Sequence, residues 1–317
     1  MKSRVAKYDG LLALIKPAGI SSHDAVDRVR QIFGQRAVGH AGTLDPAAEG
    51  LLLLLLGRTT KFAKYLGDHD KVYEAVVRLG RTTETYDAEG VDFDVPAKDI
   101  PALDEDGWNA LLERFRGKIV QRVPAYSAVH VEGERLYARA RRGEELTETP
   151  AREVTIHSLE LRTLGADTLA LRVHCSKGTY IRSLAHDIGQ AAGCGAYLAE
   201  LKRTAIGKLG VGRAMTLEQL ETRRGRDELS AVLVSVDDVL AFGSLLVADD
   251  FRDRVADGVA PNGDNVAGYE GEFAPGDTIL VRDRTRAILA IATARVASNK
   301  MSQAAGSLLL NYERVLC

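Results

Sequence analysis

The chain has 317 residues, 45% hydrophobic and 27% charged, a balance that excludes a disordered or collagen-like polymer. At roughly 100–200 residues per domain, it has room for about two domains whose cores need no disulfide or metal. Its 42 Lys and Arg stand against 44 Asp and Glu, a net charge of −2, so it is no uniformly basic nucleic-acid coat and any basic surface is local.

Leu11 to Ile15 is an apolar run closed by Lys16-Pro17, which predicts a strand leaving into a turn. Ser21 and Asp24 stand at capping-box spacing, Ala25, Val29, Ile32 and Phe33 recur at helical spacing, and Gly34 ends the pattern. GHAGTLDPAAEG, 39–50, is rich in small residues and turn formers, and Leu51 to Leu56 after it predicts a buried strand. VYEAVVRL, 72–79, predicts another strand, ending at Gly80. Residues 84–106 are strongly acidic, with Lys98 the one base, and read as a solvated linker and the start of a helix. Residues 114–143 invert the sign: Arg114, Arg116, Lys118, Arg122, Arg135, Arg139, Arg141 and Arg142 face only Glu132 and Glu134. Tyr126, His130 and Tyr137 lie between them. Such a stretch serves either as a solvated helix face or as a binder of phosphates, with aromatics that stack on bases. LALRVH, 169–174, alternates like a half-buried strand, and CSKGTY turns into a helix from about Ser183 to Ala192, stopped by Gly193. From about 243 onward, short β-like runs alternate with Gly, Asp, Asn and Pro turns, which predicts a separate small β-rich domain.

Cys175, Cys194 and Cys317 have no C-x-x-C spacing, which argues against a disulfide framework or a cysteine zinc site and for a reducing compartment. The opening MKSRVAKYDG lacks the apolar run of a secretory signal. The longest apolar run, Leu51 to Leu56, is far short of the about 20 residues that cross a bilayer. A cytoplasmic protein without membrane contact is expected. The seven histidines are scattered without H-x-x-x-H spacing, so no metal site is expected. Phosphate-loop, dinucleotide and G-x-S-x-G signatures are absent as well.

Asp45 is the carboxylate that stands out. Pro46 biases it toward an extended backbone. Locally it reads either as the N-cap of a short turn starting at Pro46 or as a carboxylate projected into a cleft. Gly39, Gly42 and Gly50 would let another molecule approach the backbone. Asp45 and Glu49 do not read as a glycosidase pair. Four residues apart on one turn, they point the same way instead of across a scissile bond.

Seven strings in order resemble one family. GHAGTLDPAAEG resembles the signature loop of the TruB-type pseudouridine synthases, which modify the T-loop uridine of tRNA (position 55 in tRNA numbering). KPAGISS at 16–22, DHDKVYEAVVRLG at 68–80, TTETYDAEG at 82–90, VPAYSAVHVEGERLYARARRG at 123–143, CSKGTYIRSLAHDIG at 175–189 and LKRTAIGKL at 201–209 complete the resemblance, which spans about 10–210. The tail, 245–317, resembles the RNA-binding PUA domain on a looser pattern. The resemblance implies an α/β (α+β) fold with a mixed, largely antiparallel central sheet. A catalytic domain over 1–242 would carry an inserted RNA-binding thumb at about 114–152, and a PUA-like domain would occupy 243–317.

The resemblance also assigns residues. Asp45 matches the catalytic aspartate, Tyr73 the tyrosine that packs on the target base, and Arg182 the arginine that pairs with the aspartate, here expected through two parallel bonds. Leu201 matches an apolar pocket residue and His40 the histidine beside displaced T-loop bases. Lys16 and Tyr180 fall where the family meets its pocket or RNA, and Tyr126, Arg139, Arg141 and Arg142 fall on the thumb. Ala41, Glu49 and Ile15 depart from the family pattern, and Glu49 adds negative charge beside an RNA cleft. The implied reaction breaks the N1–C1′ bond of uridine, turns the base and joins C5 to C1′, with no cofactor and no obligate protein partner. A non-catalytic RNA-binding or RNA-folding protein on the same scaffold is the rival reading. Asp45, Tyr73 and Arg182 together argue against it, because binding alone needs no carboxylate in the cleft.

Overall fold

The structure, a computed structural model, describes residues 7–90, 97–127, 129–131, 133–142, 144, 149–304 and 306–317. Asp92, Asp94 and Glu132 of the charged stretches lie outside the described residues. The chain divides into two units: residues up to Gly57 with Ala63–Val234, and Arg58–Phe62 with Ser235–Cys317.

The first unit contains strands β1 (Gly10–Lys16), β2 (Val38–His40), β3 (Glu49–Leu56), β4 (Lys71–Leu79), β5 (Gly117–Arg122), β6 (His130–Val131), β7 (Glu134–Arg135), β8 (Ala151–Leu164), β9 (Thr168–Cys175), β10 (Ala196–Ile206) and β11 (Leu209–Gly210). Its helices are α1 (Ser22–Phe33), α2 (Ala63–Gly67), α3 (Glu105–Glu113), α4 (Leu136–Arg141), α5 (Ile181–Ala192) and α6 (Leu217–Gly225). The main sheet runs β1-β3-β10-β4-β9-β8-β5, with β2 beside β3 and β11 beside β10. Its β3–β10 contact is parallel and the others are antiparallel, so the sheet is mixed and largely antiparallel, as expected.

The leucine run explains the centre. Leu51 to Leu56 are all 0% exposed, so β3 is buried on both faces. Each such side chain contributes about 1.5–3 kcal/mol of transfer free energy. Leu52, Leu54 and Leu56 join one core with Val26, Val29 and Ile32 of α1. That helix follows its sequence signals closely. The Ser21 hydroxyl accepts from the Asp24 amide at 3.1 Å, the Asp24 carboxylate accepts from the Ser21 amide at 2.9 Å, and Gly34 closes the helix at φ 63°. β1 ends the strand order without an open edge. Leu11 exchanges backbone bonds with Val234, the Ile15 amide donates to Met215, and the Met215 amide donates to Ala13.

Two expectations shift. α5 starts at Ile181 instead of Ser183, because Gln121 of β5 satisfies the backbone of Tyr180 just before it: its amide donates to the Tyr180 carbonyl at 3.0 Å and its oxygen accepts from the Tyr180 amide at 2.8 Å. The basic stretch is not one solvated helix face; it is divided among β5, the β6–β7 hairpin and α4.

The second unit has strands β12 (Gly243–Val247), β13 (Val266–Glu270), β14 (Thr278–Arg282), β15 (Ile288–Ala294) and β16 (Leu310–Val315), ordered β13-β12-β14-β15-β16, and helix α7 (Arg252–Ala256). Leu245, Val247, Phe251, Ile279, Val281 and Leu289 belong to its own core. The unit begins at Ser235, ahead of the 243 expected from composition. Arg282, buried in β14, explains the difference: it pairs with the Asp237 carboxylate and donates to the Ser244 hydroxyl at 3.0 Å, which ties the preceding turn to the sheet.

Candidate active site

The loop between β2 and β3 is held from three directions by buried side chains. Lys16, at the end of β1, is 0% exposed and gives its three donors to the carbonyls of Pro17 (2.8 Å), Ile20 (2.7 Å) and Pro46 (3.2 Å). Arg203 of β10, also buried, donates to Leu51 (2.7 Å), Thr43 (3.3 Å) and Gly42 (3.2 Å). The Ser22 hydroxyl exchanges bonds with the backbone of Leu44 at 2.8 and 2.9 Å. Gly50 lets β3 approach β10: its φ is +104°, and a Cβ there would sit 2.3 Å from the Arg203 carbonyl oxygen. The role expected for Gly50, admitting another molecule, is therefore corrected to a contact within the sheet.

This frame projects Asp45. No helix follows it; the turn at Pro46-Ala47 closes with the Ala48 amide donating to the Asp45 carbonyl at 3.1 Å. The carboxylate lies 2.9 Å from Nε of Arg182, as an ion pair without hydrogen-bond geometry. The expected two-bond fork to Asp45 is absent, because the other guanidinium nitrogens are engaged elsewhere. Nη1 donates to the Thr85 carbonyl at 3.0 Å and lies 3.5 Å from Asp87, while Nη2 donates to the Tyr126 carbonyl at 2.9 Å. Arg182 is 7% exposed at its side chain, so α5 places a nearly buried cation where three loops converge.

Asp45 opens on a cleft of about 540 Å³. Tyr73, Leu201, Tyr180, Asp87 and Tyr126 line it with Arg182. Tyr73 stands on β4 opposite Arg203, and burial raises its phenol above the usual range while Arg203 works in the other direction. The Arg152 guanidinium lies over the Tyr180 ring at 5.3 Å. The Ser127 hydroxyl, also on the wall, is buried without a hydrogen-bond partner among the described residues.

Of the other residues singled out in the sequence, Lys16 and His40 are not among those that line this cleft. Lys16 does not face the cleft; it braces the loop from behind, and burial lowers its pKa to about 8 while Asp45 pulls the other way. His40 lies on β2 outside the cleft wall, with its pKa lowered first by burial and then by Arg203. Glu49 pairs with Lys202 at 3.1 Å, which offsets the charge expected to trouble an RNA cleft. Arg139 meets Glu144 at 2.8 Å, and Arg142 pairs with both Glu134 and Glu144, so these two arginines of the expected thumb carry carboxylate partners. The side chain of Arg141 lies outside the described residues. Sequence reasoning passed over Asp87 and Arg203. Asp87 was hidden in the acidic stretch, and Arg203 stands two positions beyond Leu201 on the same strand.

The family model for the N-terminal domain of TruB family pseudouridylate synthases matches residues 30–181, and that for the C-terminal domain of tRNA pseudouridylate synthase B matches 182–241. The tRNA pseudouridine synthase B of Azoarcus sp. (strain BH72) is 50% identical over 213 residues, 67% of this chain and 70% of that protein. The protein of the same name from Cupriavidus metallidurans is 48% identical over 216 residues, 68% of each chain. Among solved structures, a chain of the archaeal box H/ACA sRNP Nop10-Cbf5 complex is 22% identical and superposes with a TM-score of 0.73 over 99% of this chain and 87% of that one, which shows a shared fold. The matched spans and the identity across more than two thirds of these relatives establish that the chain belongs to the TruB family of pseudouridylate synthases.

Proposed function

We propose that this protein converts the T-loop uridine of tRNA (position 55 in tRNA numbering) to pseudouridine, with Asp45 as its catalytic carboxylate. The observation that carries the reading is Asp45 itself: a carboxylate lining a cleft large enough for a nucleoside, on a loop braced by Lys16 and Arg203, and paired with the nearly buried Arg182. The N1–C1′ bond breaks, the uracil turns within the cleft, C5 bonds to C1′, and the C5 proton leaves while N1 gains one. The atoms balance as an isomerisation and call for no redox partner. Asp45 starts the reaction by adding to C1′ or by taking the C2′ proton, and a carboxylate serves either route. The uridine leaves its stack to reach Asp45 at a cost of a few kcal/mol. Tyr73 under the base and Leu201 beside it offset that cost within the cleft.

The T-arm stem-loop is the partner, held by the thumb over 114–152. The second unit acts as a PUA-like RNA-binding domain for the rest of the tRNA. The protein works in the cytoplasm, where Cys175 and Cys194, both buried and free, stay reduced. Tritium release from [5-³H]uridine-labelled T-arm RNA tests the reading. Asp45→Asn should abolish release and leave RNA affinity within about twofold. Turnover near the wild-type rate in that variant would remove Asp45 from the mechanism.

A further inference from the structure

Three side chains far apart in sequence meet on the sheet face opposite Tyr73. Asp70 immediately precedes β4, His157 lies on β8 and His174 on β9. Across β4 and β9, Val72 pairs with His174 and Tyr73 with Val173, and successive pairs point to opposite faces. Between β8 and β9, Ile156 pairs with Cys175 and Ser158 with His174, which leaves His157 as the extra residue of a bulge. The bulge brings the two imidazoles side by side, with ring centroids 4.7 Å apart at 45°. Both turn Nε2 toward one carboxylate oxygen: Asp70 Oδ2 lies 3.1 Å from His157 and 3.9 Å from His174. One ligand atom from each residue lies within 4.8 Å of the others, and among the described residues this is the group of His, Cys, Asp and Glu with that property.

We propose that Asp70, His157 and His174 bind a divalent late transition-metal ion, Zn²⁺ or a neighbour such as Co²⁺ or Ni²⁺, with water completing its shell. Two imidazoles with one carboxylate suit these ions, whereas Mg²⁺ and Ca²⁺ take oxygen donors. Ligand bonds of ~2.0–2.2 Å around a tetrahedral centre place neighbouring donor atoms ~3.3 Å apart. The 3.1 Å contact already has that spacing, and the 3.9 Å contact reaches it by a small side-chain rotation. A metal ion takes imidazole nitrogens as ligands and can engage both rings where they stand side by side. The three side chains are 36–44% exposed, so the ion has a path from solution. Nearby Asp68 is held by Lys177 at 2.8 Å, which leaves Asp70 as the carboxylate facing the histidines. A bound ion would tie the turn before β4 to β8 and β9. Because that turn leads into Lys71 and Tyr73 on the other face, the ion would brace the cleft from behind without touching the reacting base.

The test uses the full chain after chelator treatment and dialysis. Zn²⁺ is titrated calorimetrically, and Co²⁺ is followed by its visible absorption. One equivalent of Zn²⁺ should bind and raise the melting temperature, and a tetrahedral Co²⁺ spectrum should appear that excess Mg²⁺ does not displace. His157→Gln, His174→Gln and Asp70→Asn should each weaken binding at least about tenfold, a loss of about 1.4 kcal/mol. Each should also remove the Zn²⁺-dependent rise in melting temperature while keeping the wild-type circular dichroism spectrum. His23, His40, His69, His130 and His186 remain in every variant and report any binding elsewhere. No stoichiometric Zn²⁺ binding by the wild type, or equal binding by all three folded variants, would overturn the proposal.

Discussion

Arg182 divides one guanidinium among the Asp45 loop, the Thr85–Asp87 segment and Tyr126. An ammonium keeps the charge but has neither the reach nor the planar spread to serve three directions. Arg182→Lys should therefore lower turnover on T-arm RNA by at least about tenfold, which is about 1.4 kcal/mol of barrier. It should also lower the melting temperature, since two backbone carbonyls and Asp87 lose a partner. A Lys variant with wild-type rate and stability would mean that only the charge matters. At this scale the sequence was informative where one residue type does one job. Asp45 before Pro46, and Arg182 in a string that matches a family, could both be named. The direction of each Arg182 nitrogen could not, because Thr85, Asp87 and Tyr126 are brought to it by segments remote in sequence. The partners of Lys16 were illegible for a related reason. The resemblance put it at the pocket or RNA, and only its burial against three carbonyls shows it bracing the loop.

Elements whose signals are local matched closely. The capping box of α1, the leucines of β3 and the alternation of β4 and β9 each carry their own periodicity, and burial follows it residue by residue. The thumb segment was less legible because its charge pattern is compatible with helix or strand, and Glu144, which pairs with Arg139 and Arg142, lies just beyond the basic stretch. The metal-ligating group was invisible for a topological reason: Asp70, His157 and His174 share no spacing and meet only through register and a bulge. α5 carries a pH-dependent consequence. Burial raises Asp187 from 3.8 to about 6, so between those values the folded protein holds a proton that the unfolded chain has lost. Stability contributed by this residue therefore falls as pH rises from about 4 to about 6, and the penalty persists above that. Asp187→Asn removes the penalty. At about pH 7.5 the variant should be more stable by about 1 kcal/mol, a figure kept below the full shift because the side chain is partly exposed. Near pH 3.5 the two proteins should unfold at the same urea midpoint. An equal difference at both values would show that desolvation of the charge is not what the substitution relieves.

On the scale of the whole molecule, the two units have separate cores and separate sheets. All the cleft residues named above belong to the first unit, so the chemistry should not need the second. Composition alone marked a β-rich tail, because short strands between Gly, Asp and Pro turns are visible locally. It did not reveal that Ser235 to Leu240 go with the tail, since that depends on the Asp237–Arg282 pair. Nor did it reveal that Arg58–Phe62, early in the chain, also belong to the second unit. This last point governs how a truncation must be made. Phe62, 1% exposed in the complete chain, belongs to the unit that removing residues 235–317 takes away. A phenylalanine left without the rest of its unit invites association, so a chain ending at Val234 should also carry Phe62→Ser. That protein should stay monomeric and folded, retain Asp45-dependent tritium release from a T-arm hairpin, and bind full-length tRNA more weakly than the complete chain. The contrast between hairpin and tRNA is the informative readout, because a damaged catalytic unit loses both, whereas loss of an RNA-binding unit affects only the substrate that extends beyond the T-arm. A folded truncated chain with no release from the hairpin would place part of the active site in the second unit. Equal affinity for tRNA with and without residues 235–317 would remove the RNA-binding role from that unit.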